Sequence, residues 1–140
     1  MNRNQNFLYN CWYVAAWSHE ISKDIFVRTI LGEPIVFYRK DNNEIVALLD
    51  QCPHRAAPLS TGKIQGDNIQ CGYHGFKFNP IGDCIWLPGQ SSIPKGIKAK
   101  NYPVVERWKW VWIWLGDPKI ADDSLIPNFS SSFKISVTLL

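Results

Sequence analysis

Four side chains that can bind a metal lie in two short segments of this chain. One residue separates Cys52 from His54, and two residues separate Cys71 from His74. Each pair lies in a stretch containing Gly or Pro, which predicts a loop between strands. Two such loops placed side by side would offer two thiolates and two imidazoles to one centre. The spacing therefore predicts a metal site.

This donor set fits a [2Fe–2S] cluster, which needs four protein ligands. In one form of the cluster, two thiolates bind one iron and two histidines bind the other. Each segment here supplies one Cys and one His, so both loops would hold each iron. Neutral imidazoles make the oxidised cluster less negative and raise its potential from about −400 mV to between about −150 and +300 mV.

Two other interpretations are open on spacing alone. Two Cys and two His are also a structural zinc set, although zinc modules usually pair Cys with Cys and His with His. The second alternative is chance, with two buried thiols and two ordinary histidines. Because two of the three histidines lie beside a Cys, the pattern favours a metal site, and iron–sulfur over zinc.

Composition narrows the class of protein. The 140 residues suit one domain, and 46% hydrophobic against 19% charged residues indicate a globular chain. The net charge is +3 without a run of like charges, so neither nucleic acid nor a membrane is an expected partner. The polar N-terminus lacks the features of a signal peptide, which predicts a cytoplasmic location. Thiols stay reduced there, which favours metal binding over disulfides for the four cysteines.

Short strand-like segments predict an all-β sandwich or small barrel. Strands are expected at 25–31, 35–39, 44–49, 69–71, 84–86, 102–106, 110–115 and 133–140. Turns are expected at 32–34 and 41–43, and loops at 51–59 and 72–80. Residues 7–20 are expected to form an N-terminal segment with at most one helical turn.

Four tryptophans alternate near the C-terminal end of this pattern: Trp108, Trp110, Trp112 and Trp114. A period of two predicts that all four share one face of a strand. The opposite face is also mostly apolar, so the strand should be buried on both faces. In so small a domain, this predicts a neighbour from another domain or subunit.

The two metal-binding segments closely resemble the cluster loops of Rieske non-haem iron oxygenases. The matching runs are CPHRAAPLS at 52–60 and CGYHGFKFN at 71–79. The similarity extends from about Trp12 to Pro127, with further matches at 31–34, 66–67, 87–89 and 115–118. It is greatest to the large (alpha) subunits of the vanillate O-demethylase and phenylpropionate dioxygenase-like group.

The resemblance implies a Rieske-type antiparallel β-sandwich with a small cluster-binding subdomain of two hairpin loops. It implies that Cys52 and Cys71 bind one iron of the [2Fe–2S] cluster, and that His54 and His74 bind the other, outer iron. The loop at Pro88 would cover the cluster. The residues expected next to the cluster are Arg55, Tyr73, Gly75, Phe76 and Pro88.

Two departures separate this chain from the Rieske proteins of respiratory chains. Those carry an extra cysteine in each loop, joined in a disulfide, whereas Ala57 and Tyr73 stand at the matching positions here. They also donate Ser and Tyr hydroxyls to the cluster sulfurs, where this chain has Phe76 and Phe78. Fewer donors disfavour the more negative, reduced state, which predicts a potential in the lower part of the Rieske range.

The function implied by the resemblance is electron transfer in an oxygenase component. Electrons would pass from a reductase or ferredoxin to a mononuclear non-haem iron, which oxidises or demethylates an aromatic substrate with O₂. That iron needs two histidines and a carboxylate, and outside the cluster loops only His19 remains. No catalytic residue is therefore expected in this chain, and it should not oxygenate alone.

The expected organisation is an N-terminal segment at 1–24, the Rieske domain at 25–118, and the start of a linker at 119–140. The catalytic domain would lie beyond, and the accepting iron would be on the same subunit or on a neighbouring subunit of a homo-oligomer. A stand-alone Rieske ferredoxin and a zinc-stabilised interaction module are the alternatives.

Overall fold

The computed structural model describes residues 8–54 and 56–129. This part of the chain is built from β-strands and short 3₁₀ turns, as the all-β prediction requires. The strands are β1 (Cys11–Trp17), β2 (Phe26–Ile30), β3 (Glu33–Arg39), β4 (Ile45–Leu49), β5 (Lys63–Gln65), β6 (Asn68–Gln70), β7 (Lys77–Phe78), β8 (Cys84–Trp86), β9 (Val104–Arg107) and β10 (Trp110–Leu115). The 3₁₀ turns are Ser18–Glu20, Leu59–Thr61, Pro118–Ile120 and Asp123–Leu125. None of the described helices has the length and apolar character that a membrane crossing needs.

The strands form three antiparallel sheets. The terminal sheet has the order β1-β10-β9, the middle sheet β2-β3-β4, and the small sheet β5-β6-β7-β8. Short hairpins join the strands within the middle and small sheets. The terminal sheet instead pairs the first described strand with the last, so the two ends of the described fold lie side by side.

The middle sheet lies between the other two because both of its faces are apolar. Along β3, Ile35 and Phe37 pack towards the terminal sheet, with Val111 and Ile113 among their neighbours. The alternate β3 residues pack towards the small sheet. There they join Cys52, Cys71, Ile69 and Phe78 in a second core. β3 is therefore buried on both faces, and the strand period of two assigns its side chains to two separate cores.

The β9–β10 hairpin corrects one sequence prediction. Trp108 and Lys109 have φ angles of 60° and 64°, and they form the two-residue turn between the strands. Two-residue hairpin turns of this type need left-handed backbone at both positions because its twist matches that of the strands. Trp108 therefore does not share the strand face of Trp110, Trp112 and Trp114. The alternation of tryptophans placed Trp108 on the strand, because periodicity alone does not show where a turn lies.

The tryptophan face of β10 has a neighbour within the same chain. The Trp112 ring stacks on Phe129 with centroids 6.1 Å apart, and Trp110 meets Phe129 edge-on at 5.3 Å. On β1, Trp12 packs against Trp114 at 5.4 Å and donates its indole N–H to the Asp122 carbonyl oxygen at 2.8 Å. The segment 117–129 thus covers this face, where the sequence pattern had suggested another domain or subunit.

Other differences from the predicted elements are local. Residues 11–17 form the strand β1, whereas the sequence predicted an N-terminal segment with at most one helical turn. Within that segment, the only 3₁₀ turn of the described residues is Ser18–Glu20, directly after β1. The turn expected at 32–34 lies one residue earlier, because Leu31 and Gly32 adopt positive φ and Glu33 already pairs with Ile30. The short strands β5 and β7 were not predicted. The strand predicted at 133–140 lies outside the described residues.

Candidate iron–sulfur site

Two loops of nearly identical backbone geometry carry the predicted ligands. In the first, the Cys52 amide donates to the Ala57 carbonyl at 2.7 Å, and the Ala56 amide donates to the Cys52 carbonyl at 2.7 Å. In the second, the Cys71 amide donates to Phe76 at 2.8 Å, and the Gly75 amide donates to Cys71 at 3.1 Å. Each cysteine therefore closes a tight ring with the fourth and fifth residues after it.

The same backbone conformation recurs at the closing residue of both loops. Ala56 has a φ of 58° and Gly75 a φ of 79°. Glycine adopts this left-handed conformation without steric cost, whereas Ala56 adopts it at some cost because of its Cβ. The histidines occupy different positions in these similar loops, with His54 two residues after its cysteine and His74 three. The Cys–His spacing of the two motifs therefore differs although the two loops share one hydrogen-bond pattern.

In both loops the cysteine thiol is buried and the histidine imidazole is exposed. Cys52 and Cys71 are only 2% and 3% exposed and lie in the same apolar core between the middle and small sheets. His54 and His74 are exposed at the surface. Their ring centroids lie 5.2 Å apart at an interplanar angle of 85°. The structure thus brings the two histidines together at the surface, above two buried thiols.

Aromatic neighbours hold the two imidazoles. Phe76 stacks on the His54 ring with centroids 4.5 Å apart, so a residue of the second loop supports the histidine of the first. Tyr73 contacts the His74 ring edge-on at 4.1 Å. The Tyr73 amide also points at the Cys71 sulfur, 3.5 Å away. Two of the residues expected beside the site, Tyr73 and Phe76, therefore contact predicted ligands directly.

Each loop is also braced from outside. The buried carboxylate of Asp50 accepts hydrogen bonds from the Ser60 amide at 2.7 Å and the Ser60 hydroxyl at 2.6 Å, which ties together the two ends of the first loop. In the second loop, the Gln70 side-chain amide donates to the Gly75 carbonyl at 3.1 Å. These braces limit how far the ligand-bearing segments can move.

Two glycines let the loops approach each other. A Cβ on Gly62 would collide with the Gln70 carbonyl oxygen, and a Cβ on Gly72 would lie 2.6 Å from the Thr61 carbonyl oxygen. Both obstacles are backbone atoms, which cannot move aside as a flexible side chain could. Backbone therefore packs directly on backbone between the 3₁₀ turn that ends at Thr61 and the second ligand loop.

Two thiols and two imidazoles are a donor set that either a zinc ion or a [2Fe–2S] cluster accepts. A tetrahedral zinc site needs four ligands on one ion. A [2Fe–2S] cluster instead takes two protein ligands on each iron, which suits two buried thiols and two separate imidazoles. None of the four cysteines is in a disulfide.

The other residues singled out from the sequence either lie near this site or fall outside the described residues. Pro88 is exposed, and its neighbour Leu87 is buried in the core that holds Cys52 and Cys71. Whether the Pro88 loop covers a cluster stays a prediction. Burial raises the pKa of the Cys84 thiol, which faces the Trp86 carbonyl, so Cys84 is a core residue. Arg55 lies outside the described residues.

A small antiparallel β-domain with paired Cys/His loops belongs to a class of iron–sulfur electron-transfer domains. The match to a family model makes the assignment specific, because residues 11–103 match the Rieske [2Fe-2S] domain. The chain belongs to this family, and its cofactor is the Rieske [2Fe–2S] cluster.

Known relatives place the chain with oxygenase components. The iron-sulfur subunit of a toluene-4-sulfonate monooxygenase system from Comamonas testosteroni is 50% identical over 88% of this chain and 36% of its own length. A vanillate O-demethylase oxygenase subunit from a Pseudomonas species (strain HR199) is 41% identical over 84% and 33%. The crystal structure of dicamba monooxygenase superposes with a TM-score of 0.84 at 44% identity, over 89% of this chain and 40% of that one.

These relatives confirm the resemblance to Rieske oxygenases and the all-β Rieske fold. They also match the predicted role of the chain as a Rieske electron-transfer domain. The chain spans about a third of the length of the curated relatives described above.

Several residues that shape the site carried no sequence signal of their own. Asp50 and Ser60 flank the first loop, but only the fold shows that they meet. Gln70 and Trp86 lie on strands whose register decides which side chains face the second loop.

Proposed function

We propose that Cys52, His54, Cys71 and His74 hold a Rieske [2Fe–2S] cluster and that this chain is the electron-transfer domain of an oxygenase component. One observation carries the proposal: two loops with the same hydrogen-bond pattern bring two buried thiols and two exposed, adjacent imidazoles to one place. Cys52 and Cys71 would bind the inner iron. His54 and His74 would bind the outer iron.

When bound, such a cluster accepts and releases one electron without making or breaking a covalent bond. The chain supplies a fixed environment for that exchange. The buried thiols lie in an apolar core that excludes water, whereas the exposed imidazoles form a short path to the surface. Phe76 and Tyr73 restrict rotation of the imidazoles, so little rearrangement should accompany the exchange.

The activity of the whole protein is proposed by analogy with its relatives. Electrons would come from a reductase or ferredoxin and pass to a mononuclear non-haem iron, on the same polypeptide or on a neighbouring subunit of a homo-oligomer. The reaction would be O₂-dependent oxidation or demethylation of an aromatic compound, since the relatives include a toluene-4-sulfonate monooxygenase system and a vanillate O-demethylase. In this proposal residues 25–118 are the Rieske domain, to whose terminal sheet β1 adds a strand. Residues 119–140 begin a linker, of which the part up to Phe129 packs on that sheet, and the location is the cytoplasm.

The test is reconstitution of the chain with iron and sulfide, followed by metal analysis and spectroscopy. We expect about two irons and two acid-labile sulfides per chain, together with a visible absorption band and an EPR signal on reduction. Cys52→Ser, Cys71→Ser, His54→Ala and His74→Ala should each abolish or strongly alter these signals. The matched controls Cys11→Ser and His19→Ala should retain them. A colourless protein that binds one zinc would overturn the proposal in favour of a zinc module.

A further inference from the structure

A row of four side chains crosses the outer face of the small sheet. Lys63 on β5 lies opposite Gln70 on β6, Gln70 lies opposite Lys77 on β7, and Lys77 lies opposite Trp86 on β8. Residues directly opposite each other in antiparallel strands share one face of the sheet. We call Lys63, Gln70, Lys77 and Trp86 the basic row.

A bulge aims the last member of the basic row outwards. Lys77 pairs with Trp86, but the next residue, Phe78, pairs with Cys84, so Ile85 is an extra residue on β8. In a regular strand without this bulge, Cys84 and Trp86 lie two residues apart and would point the same way. With it, Cys84 faces the core while Trp86 is 43% exposed, with the Lys77 ammonium 5.5 Å from the centre of its ring.

The basic row is continuous with the candidate cluster site. Gln70 donates its side-chain amide to the Gly75 carbonyl, and the Trp86 ring lies 3.5 Å from where a Cβ on Gly75 would stand. Gly75 directly follows His74. One groove is lined by Lys63 and Gln70 of the basic row together with His74. The row therefore borders one of the two proposed outer-iron ligands.

The charge of this face has one sign. The four strands of the small sheet contain two lysines and no acidic residue. The acids in the adjoining turns are engaged elsewhere, since Asp67 accepts from the Asp41 amide and Asp83 pairs with Lys98. Among the described residues, neither Lys63 nor Lys77 takes part in an ion pair.

We propose that the basic row docks an acidic electron-donor protein beside His74. The inference rests on the proposed function, because a docking face next to His74 is useful only if His74 holds a redox centre. Transient electron-transfer complexes have small interfaces and depend on charge for their encounter rate. Two unpaired lysines would steer an acidic partner, and Trp86 would provide a flat apolar contact at its centre. One electron would leave the reduced donor and reduce the centre that His74 helps to hold.

The test compares binding and electron transfer in charge-reversed variants of the cluster-loaded chain. The probe is an acidic plant-type [2Fe–2S] ferredoxin, immobilised in oxidised form for affinity measurements and mixed in reduced form for stopped-flow kinetics. Lys63→Glu with Lys77→Glu should weaken binding and slow reduction at low salt by about tenfold or more. Added salt should slow the wild-type reaction and leave the double variant little changed. Lys109→Glu with Lys119→Glu, an equal double charge reversal on exposed residues next to the terminal sheet, should stay within about twofold of wild type.

Three results would overturn the docking proposal. They are wild-type affinity and rate in the double variant, a wild-type rate that does not fall with salt, or a double variant whose only change is its sedimentation coefficient. The last result would mean that a second copy of the chain covers this face. Failure of the proposed function is distinguishable, because the chain would then show no cluster absorption and no EPR signal before any donor is added.

Discussion

The Cys71 sulfur and the His54 ring show what individual neighbours do at this site. The sulfur faces the Tyr73 amide at 3.5 Å, and the His54 ring stacks on Phe76. Phe78 is fully buried in the core that holds both thiols. Neither phenylalanine has a hydroxyl to donate to a sulfur, so these neighbours shape the site without adding hydrogen bonds from their side chains.

This lack of side-chain donors predicts the potential of the loaded protein. Hydrogen bonds to the sulfurs stabilise the reduced, more negative state, and their absence lowers the potential. We expect a midpoint in the lower part of the range from about −150 to +300 mV. A spectroelectrochemical titration measures it, and a strongly positive midpoint would contradict the prediction.

The brace between Asp50 and Ser60 has an exposed counterpart that allows a matched test. Ser60→Ala removes one of the two hydrogen bonds to a buried carboxylate, and an unsatisfied buried acceptor costs about 1–3 kcal/mol. We expect the free energy of unfolding in urea to fall by that amount. Ser124 donates to the exposed Asp122 through the same two groups, its amide and its hydroxyl. Ser124→Ala should change stability by less than about 0.5 kcal/mol, and equal losses in both variants would refute the role of burial.

At the scale of elements, one ion pair ties the middle sheet to the terminal sheet. The buried Arg39 on β3 reaches both carboxylate oxygens of Glu106 on β9, at 3.0 Å and 2.6 Å. Its remaining N–H groups donate to the carbonyls of Ser18, Ile21 and Asn43. The guanidinium thus joins two strands to the loops on either side of them.

This ion pair predicts a pH dependence of stability. The hydrogen bonds from Arg39 lower the pKa of Glu106 in the folded state, so the pair stabilises the fold above the unfolded pKa of about 4.3. That contribution should disappear as the pH falls through the lowered folded pKa. We expect Glu106→Gln to lower the free energy of unfolding at pH 7, with a difference from wild type that shrinks in acid. Glu44→Gln, which breaks the exposed pair with Lys40, should change little, and a pH-independent Glu106→Gln effect would contradict this account.

At the scale of the whole molecule, the segment 117–129 completes the fold by covering the terminal sheet. Its contacts with β10 and β1 are aromatic pairs and one indole hydrogen bond. A tryptophan face that would otherwise be open to water is thereby buried against the same chain.

Phe129→Ala tests this cover. The substitution removes two aromatic contacts, each worth about 0.5–1.5 kcal/mol beyond area burial, so we expect a loss of about 1–3 kcal/mol in unfolding free energy. Acrylamide should also quench tryptophan fluorescence more strongly in the variant. Leu125→Ala in the same segment, at a side chain 62% exposed, should leave both measurements near wild type. Unchanged quenching in Phe129→Ala would show that another group covers the tryptophans.

The sequence by itself determined the all-β class and most of the middle sheet, and it predicted the donor set. These features are local: Cys and His spacing is read along the chain, and runs of strand-forming residues bounded by turn residues mark the strands of the middle sheet. The recurrence of the same donor residues at short intervals was enough to predict a metal site at Cys52, His54, Cys71 and His74, and the resemblance to a known family specified its type.

Tertiary structure alone decided how these parts meet. The approach of the two loops depends on Gly62 packing against the Gln70 backbone and on Gly72 packing against the Thr61 backbone. The outward direction of the Trp86 side chain depends on a one-residue bulge. The turn at Trp108 and the cover provided by Phe129 are likewise invisible to alternation. The physical reason is that register, bulges and contacts between separate segments are set by packing across the fold, which local residue patterns specify only weakly.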